Sequence, residues 1–232
     1  MHQPRLGTRK LHYLINSSEE LGFHVGRDRL FDVLRATRLL VPVKRAYHKT
    51  TNSHHRFRCH PNLLKNGSDR VIPTGPDQVW VADITYLPVQ QGEAYLSLVT
   101  DAYSRKIVGH YVHSDMKTAS VLKAYTMALK QRKVPTELIH HSDRGSQYCS
   151  DLYQQEHKKN AVICSMTDGY DCYQNALAER VNGILKTELL PRKSKDVGQA
   201  KILVDEAVMI YNSKRPHLSL KYKTPDAVHR AF

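Results

Sequence analysis

Asp83 lies in the middle of an apolar, β-branched and aromatic run, residues 79–88, that a proline closes. A carboxylate buried there is costly unless it is paired or holds a metal. Strand alternation puts it on one face with Val81 and Thr85; the plainer readings are an exposed face or a salt bridge. Asp143 directly follows a short apolar stretch, 138–141, and precedes Arg144-Gly145. A carboxylate at the C-terminal end of a strand, with glycine beside it, suits an open site and equally suits a turn cap. Glu179 falls in a helical pattern whose core stripe is Leu177, Val181, Ile184 and Leu185. It stands about 200° from Leu177 around the axis, off that stripe. Lys186 follows nearly in register, about 10 Å further along. A carboxylate and then a cation on one face fits a metal ligand followed by a phosphate contact, or simply a solvated face. Carboxylates converging from separate elements are what two-metal phosphodiester chemistry requires: oxygen ligands that hold Mg²⁺ or Mn²⁺ ions roughly 3.5–4 Å apart, one activating the attacking oxygen and one stabilising the leaving oxygen.

These three positions need a scaffold. Residues 79–88, 95–99 and 106–112 read as successive strands with short connections, an antiparallel meander. A helix is expected over 118–131, a fourth strand over 138–141, a short helix over 151–158 and a strand over 161–165. A loop through Asp168-Gly169-Tyr170 then leads into a long helix, 173–189, that carries Glu179. A last helix covers 197–211, ahead of a tail without clear structure. The order predicts an α/β fold, a mixed sheet flanked by helices in the ribonuclease-H-like arrangement, with the first Asp in the first strand, the second after the fourth, and the Glu on the long helix.

Ahead of it the chain is basic. The net charge is +13 and the pI about 9.6. Residues 1–72 hold 14 Lys/Arg against 5 Asp/Glu, whereas the remainder holds 21 against 17. Such a segment meets a polyanion when folded, or is a solvated tail. Apolar residues at helical spacing within it favour a folded contact. One helix is expected from Gly7 to about Gly22, and a second over 27–39 with Leu30, Val33 and Leu34 on one face. Arg27, Arg29, Arg35 and Arg38 lie on its other faces, which fits a helix-turn-helix. The chain divides as 1–72, a basic helix-turn-helix-like region and linker; 73–192, the catalytic core; and 193–232, a C-terminal helix and tail. Cys59, Cys149, Cys164 and Cys172 have no CxxC spacing, so reduced thiols are expected rather than a zinc site. His54, His55, Cys59 and His60 crowd too closely for two ligand pairs. No stretch reaches the roughly 18 apolar residues of a membrane span, and no apolar run behind the N-terminus makes a secretory signal.

The residues around the acids carry a resemblance. Val79-Trp80-Val81-Ala82-Asp83-Ile84-Thr85-Tyr86, Asp101-Ala102-Tyr103-Ser104-Arg105, His141-Ser142-Asp143-Arg144-Gly145-Ser146-Gln147-Tyr148, Asn175-Ala176-Leu177-Ala178-Glu179 and the ending Tyr211-Asn212-Ser213-Lys214-Arg215-Pro216-His217 resemble the DDE transposases of the insertion-sequence-three (IS3) family. These are similar to retroviral integrases. The 35 residues between Asp143 and Glu179 fit the same pattern. Gln174 stands where the family often has Asp. The resemblance implies an integrase catalytic core in which Asp83, Asp143 and Glu179 bind two Mg²⁺ or Mn²⁺ ions. Water frees a 3′-OH at the element's end, which then attacks a second phosphodiester and gives a circular intermediate. Lys186 and Arg144 are expected at DNA, with Arg27, Arg29, Arg35 and Arg38. Asp101 is expected to serve its turn structurally, and His140 and His141 to pack. The implied partners are double-stranded DNA (terminal inverted repeats and target), further copies of the chain on that DNA, and an upstream-frame protein or its fused form, in the bacterial cytoplasm at the nucleoid. The competing readings are a nuclease that cleaves without joining and a truncated or decayed DNA-binding product that regulates without catalysis.

Overall fold

The computed structural model describes residues 3, 5–42, 59–68, 70–132, 136–168, 175–190 and 192–232. Five strands, β1 (Val79–Leu87), β2 (Ala94–Asp101), β3 (Ile107–His113), β4 (Leu138–Ser142) and β5 (Val162–Met166), form one sheet in the order β3-β2-β1-β4-β5. The first three make the expected antiparallel meander. Gly92, at φ +73°, turns the chain between β1 and β2, a conformation that costs glycine nothing. β4 and β5 run parallel to β1. Parallel strands need a crossover, and α3 (Thr118–Gln131) supplies the one between β3 and β4. It lies so close to β3 that a Cβ on Gly109 would come within 2.1 Å of the Ala124 carbonyl oxygen.

Alternation along β1 divides the core. Trp80, Ala82 and Ile84 point to one face, where they pack with Val121 and Tyr125 of α3 and with Tyr153 of α5 (Asp151–Lys159). On the other face Leu87, Leu96 and Leu98 meet Val181 of α6 (Ala176–Ile184) and Val204, Ala207 and Tyr211 of α7 (Val197–Ser213). A short helix, α4 (Ser146–Cys149), follows the Asp143 loop.

The α6 region differs from the single long helix the sequence suggests. Regular α-helix ends at Ile184, and Leu185–Leu189 forms a π-helical turn. The tail also differs. A short 3₁₀ turn at Leu218–Leu220 and α8 (Pro225–His229) fold against the sheet. The Asn212 amide accepts from the Ile107 N–H and donates to the Ile107 carbonyl, both at 2.9 Å. Arg215 grips Glu188 with two hydrogen bonds of 2.8 Å. Polar side chains rather than apolar periodicity organise this tail, so no hydrophobic pattern announces it.

The N-terminal pair consists of α1 (Thr8–Asn16) and α2 (Arg27–Ala36). The first helix is shorter than expected. After Asn16 a 3₁₀ turn, Glu19–Leu21, runs into Gly22 at φ +64°. The Asn16 amide then holds Val25 through both its N–H and its carbonyl. Lys10 contacts Glu188 at 3.4 Å, and Tyr13 stacks on Tyr222 with ring centres 4.4 Å apart, so α1 docks on the C-terminal part of the molecule. Cys59 is an exposed thiol and Cys149 and Cys164 are buried ones; His54, His55 and Cys172 lie outside the described residues, as does the whole of the basic segment 43–58. No helix among the described residues is long and apolar enough to cross a membrane.

Candidate active site

Two neighbouring parallel strands set the site. β1 and β4 pair Val81 with His141. Two residues further along, Asp83 is still within β1 and Asp143 is the first residue past β4, which sets the two carboxylates at about the same level on neighbouring chain segments. Asp83 shares its face with Val81 and Thr85, the face that α6 covers. Its Oδ2 accepts a 2.6 Å hydrogen bond from Asn182 Nδ2. Burial, and next the charge of Asp143, push the Asp83 carboxyl up to about 8; the Ile84 and Asn182 hydrogen bonds pull the other way, and Glu179 adds a little more upward push. Asp143 begins the loop after β4, and its Oδ1 accepts from the Gly145 N–H at 2.9 Å. A Cβ on Gly145 would sit 3.0 Å from that oxygen, so the glycine keeps the loop tight against the carboxylate.

Glu179 projects from α6 and is exposed, and partial desolvation raises its pKa. One turn on, Asn182 is buried on Asp83. A further turn on, the half-buried Lys186 donates from Nζ to Thr85 Oγ1 at 3.0 Å. Successive same-face residues of β1, about 6.6 Å apart, thus meet successive turns of the helical segment, about 6 Å apart. Burial lowers the Lys186 pKa, and the Asp83 charge opposes that shift. Lys186 therefore faces the strand beside Asp83. It does not extend the Glu179 face of a continuous helix.

The other expected positions, Arg144 excepted, lie apart from this group. Arg144 is half-buried beside Asp143. Arg27 and Arg29 sit exposed on α2, Arg27 paired with Asp28 at 2.8 Å. Arg35 pairs with Asp32 at 2.9 Å, and Arg38 lies beyond the helix end at φ +56°. Asp101 is fully buried and accepts from the Asp77 N–H and from the N–H and hydroxyl of Ser104. With Asp77 and His229 it forms the one group of three His, Cys, Asp or Glu ligand atoms within 4.8 Å of one another among the described residues. His140 and His141 are fully buried, His140 against Tyr153 and His141 on the Ser165 hydroxyl, so both pack. Asn182 is the residue the sequence reading passes over. Its spacing of three from Glu179 was visible, but its reach to Asp83 depends on how the helix lies across the sheet.

The comparisons with known proteins bear on this geometry. Models of the "Integrase core domain" match residues 73–172 and 160–225. The chain is 38% identical over 228 residues to an IS600 insertion-element 31 kDa protein of Shigella sonnei, covering 97% of this chain and 82% of that protein. It is 38% identical over 158 residues to the transposase of IS629 from Shigella sonnei and 35% over 157 to the transposase InsF of IS3A from Escherichia coli. It spans only 53% and 54% of those two relatives. Among solved structures, the magnesium-bound catalytic core of HTLV-2 integrase superposes with a TM-score of 0.54 at 18% identity, over 67% of this chain and 98% of that one. A chain of the simian T-cell lymphotropic virus intasome in complex with PP2A regulatory subunit B56 gamma superposes with a TM-score of 0.58 at 19% identity, over 96% of this chain and 74% of that one. Both show the fold: a mixed sheet of the retroviral-integrase, ribonuclease-H-like kind.

Proposed function

The chain belongs to the IS3-family DDE transposases, polynucleotidyl transferases with an integrase core that move insertion sequences, and from that premise we propose that Asp83, Asp143 and Glu179 form its catalytic centre. The observation that carries this reading is the juxtaposition of Asp83, midway along β1, with Asp143, the first residue past the adjacent parallel strand β4, where burial and next the Asp143 charge drive the Asp83 carboxyl up to about 8. Two carboxylates so placed ionise together near neutral pH only beside a cation. An all-carboxylate donor set is hard and fits Mg²⁺ or Mn²⁺. Asp83, Asp143 and Glu179 would hold such ions, which would supply charge stabilisation to the attacking and leaving oxygens of an in-line phosphoryl displacement.

The protein's own groups do the rest. Asn182 fixes the Asp83 carboxylate through its 2.6 Å hydrogen bond. Gly145 fixes Asp143. Lys186, half-desolvated and held by a neutral hydroxyl, is a cation available to a DNA phosphate next to the carboxylates. The reaction begins with water attacking at the element's end. The freed 3′-OH then attacks a second phosphodiester, with no covalent protein intermediate. Arg144 lies at the mouth of the same loop and takes a second phosphate. The exposed Arg27, Arg29, Arg35 and Arg38 give α1 and α2 their role as a helix-turn-helix DNA contact. The segments 1–72, 73–192 and 193–232 then serve as DNA-contact region, catalytic core and C-terminal brace. Joining two ends requires more than one copy on the DNA, with or without an upstream-frame partner, and such a protein works at the bacterial nucleoid.

The test is Mg²⁺- or Mn²⁺-dependent nicking and joining of labelled duplexes that end in the element's own terminal repeats. The parent is expected to do both, while Glu179→Gln and Asp143→Asn bind and do neither. Binding without reaction by the parent in either metal would overturn the catalytic assignment. Nicking without joining would make the chain a nuclease.

A further inference from the structure

A cleft of about 710 Å³ lies on the same face of the sheet as Asp83. It is lined by Val79 and Val81 of β1, by the segment ahead of the sheet, by the β2–β3 turn and by the start of α6. Clefts of roughly 300–1,000 Å³ hold small organic ligands. This one therefore accommodates about one or two unpaired nucleotides and excludes a duplex.

Its chemistry is that of a nucleotide site. Arg105 lines it, half-buried, and among the described residues no carboxylate lies within ion-pair distance of its guanidinium. Burial lowers the Arg105 pKa; Tyr211 and Asp101 oppose that shift, and Arg180 adds the smallest contribution to it. A half-buried cation without an ion-pair partner is costly until an anion arrives. Arg70 lines the same cleft, and its guanidinium donates to the neutral Asn66 amide oxygen at 2.8 Å.

The second observation is Asn175, at the N-terminus of α6 and 94% buried. Its Nδ2 donates to the Ala82 carbonyl at 3.1 Å. That bond fixes which end of the amide is which, and it leaves Oδ1 buried with no partner. An unsatisfied buried acceptor is destabilising. An exocyclic base amine would satisfy it. The helix N-terminus meanwhile favours a phosphate. Val71, Ile72 and the ring of Tyr103 supply apolar surface of the kind on which bases lie.

We propose that this cleft receives an unpaired nucleotide of the strand adjoining the reacting phosphodiester, with its phosphate on Arg105 and its base amine on Asn175 Oδ1. The location agrees. Val81 lines the cleft, and Asp83 is the next residue on that face, about 6.6 Å further along. The inference rests on the reading of Asp83 as part of the catalytic centre. It adds that the DNA end is frayed, not blunt, when it reaches that centre.

Fluorescence anisotropy in metal-free buffer tests this, using the full chain and dye-labelled duplexes that are blunt or carry a short single-stranded overhang on either strand. The parent is expected to bind one overhang substrate about tenfold more tightly than the blunt one, since stacking and contact of one base are worth about 1–3 kcal/mol. Overhangs ending in adenine or cytosine, which carry an exocyclic amine, should bind better than thymine. Arg105→Gln should remove most of the overhang preference and reduce the salt slope by about 0.7, one single-strand phosphate contact. Arg105→Lys should keep part of both. Asn175→Ser should erase the adenine-over-thymine preference and leave blunt binding unchanged, which a misfolded variant could not do. Equal affinity of the parent for blunt and overhang DNA would overturn the inference while leaving the catalytic reading intact. A parent that binds no DNA at all would sink the catalytic reading itself.

Discussion

Asp83 and Asp101 belong to the same pair of strands and meet burial in opposite ways. Asp101 is fully buried, yet its carboxylate is surrounded by protein donors: the Asp77 N–H at 2.8 Å, the Ser104 N–H at 2.7 Å and the Ser104 hydroxyl at 2.6 Å. Asp83 has one side-chain donor, Asn182, and faces a second carboxylate across the sheet. The fold compensates one charge internally and leaves the other wanting a cation from outside. Burial alone therefore does not mark a functional acid. The donors around it do, because a carboxylate already saturated by N–H and O–H groups has little left to offer a metal.

The sharpest way to break that contrast is Asp83→Asn. Loss of a ligand that stabilises transition-state charge by several kcal/mol should cost about 10³-fold or more in nicking, measured on end-labelled duplex. The same change should stabilise the metal-free protein. The folded Asp83 carboxyl titrates at about 8, whereas an unfolded aspartate titrates near 3.9. The folded state thus holds the proton more tightly. Metal-free stability is undiminished below about pH 4 and falls as pH rises to about 8. Asp83→Asn removes that fall, so its metal-free melting temperature should exceed the parent's at pH 8 and match it near pH 4. Mn²⁺ should raise the parent's melting temperature and leave the variant's alone. A variant less stable than the parent at pH 8 would mean that Asp83, like Asp101, is satisfied by the fold.

Asp101→Ala should give the reverse pattern. It strands the Asp77 and Ser104 N–H groups in the interior, at about 1–3 kcal/mol each. A loss of about 3 kcal/mol in urea unfolding is expected, with nicking per folded molecule close to the parent's. A large fall in turnover without loss of stability would make Asp101 a fourth catalytic carboxylate.

Asn182→Ala probes the single donor that Asp83 does have. Groups that orient a metal ligand typically contribute 10–100-fold in affinity or activity, so the Mn²⁺ concentration for half-maximal nicking should rise by about 10-fold. Because the amide also favours the ionised Asp83 and holds its pKa down, the pH dependence of metal-free stability should shift to higher pH in the variant. A change confined to stability would reduce Asn182 to packing.

Much of this contrast was legible in the residue order. The β1 run around Asp83, the short strand before Asp143 and the helical stripe around Glu179 each carry their own periodicity, and the meander followed from short connections. What periodicity could not carry was side-chain reach. Asn182 and Lys186 act on β1 only because the helical segment crosses the strand with matching rise, and the π turn at Leu185–Leu189 that carries Lys186 breaks the expected helix two residues after Gly183, a single glycine that a helical pattern often tolerates. The C-terminal tail was illegible for a related reason. Asn212, Arg215 and His229 hold it by polar contacts across long separations, and such contacts leave no repeat in the sequence.

The smallest effect separates a ligand set from a look-alike. Asp77, Asp101 and His229 bring their ligand atoms within 4.8 Å of one another, closer than the three proposed metal ligands stand to one another. Yet both Asp101 oxygens are occupied by N–H and O–H donors, Asp77 Oδ1 accepts from Trp80 Nε1 at 3.0 Å, and His229 Nδ1 shares a 3.0 Å hydrogen bond with Ser104. The histidine's contacts to the two carboxylates are long, at 3.8 and 3.9 Å. His229→Gln should therefore cost only about 1 kcal/mol, the net value of one hydrogen bond, or about 2–4 °C in melting temperature for a chain of this size. The Mn²⁺-induced rise should survive unchanged in His229→Gln and vanish in Asp83→Asn. If His229→Gln abolished that rise instead, the cation would belong to the cluster at the C-terminal helix, and the distinction between a carboxylate the fold satisfies and one it leaves open would fail.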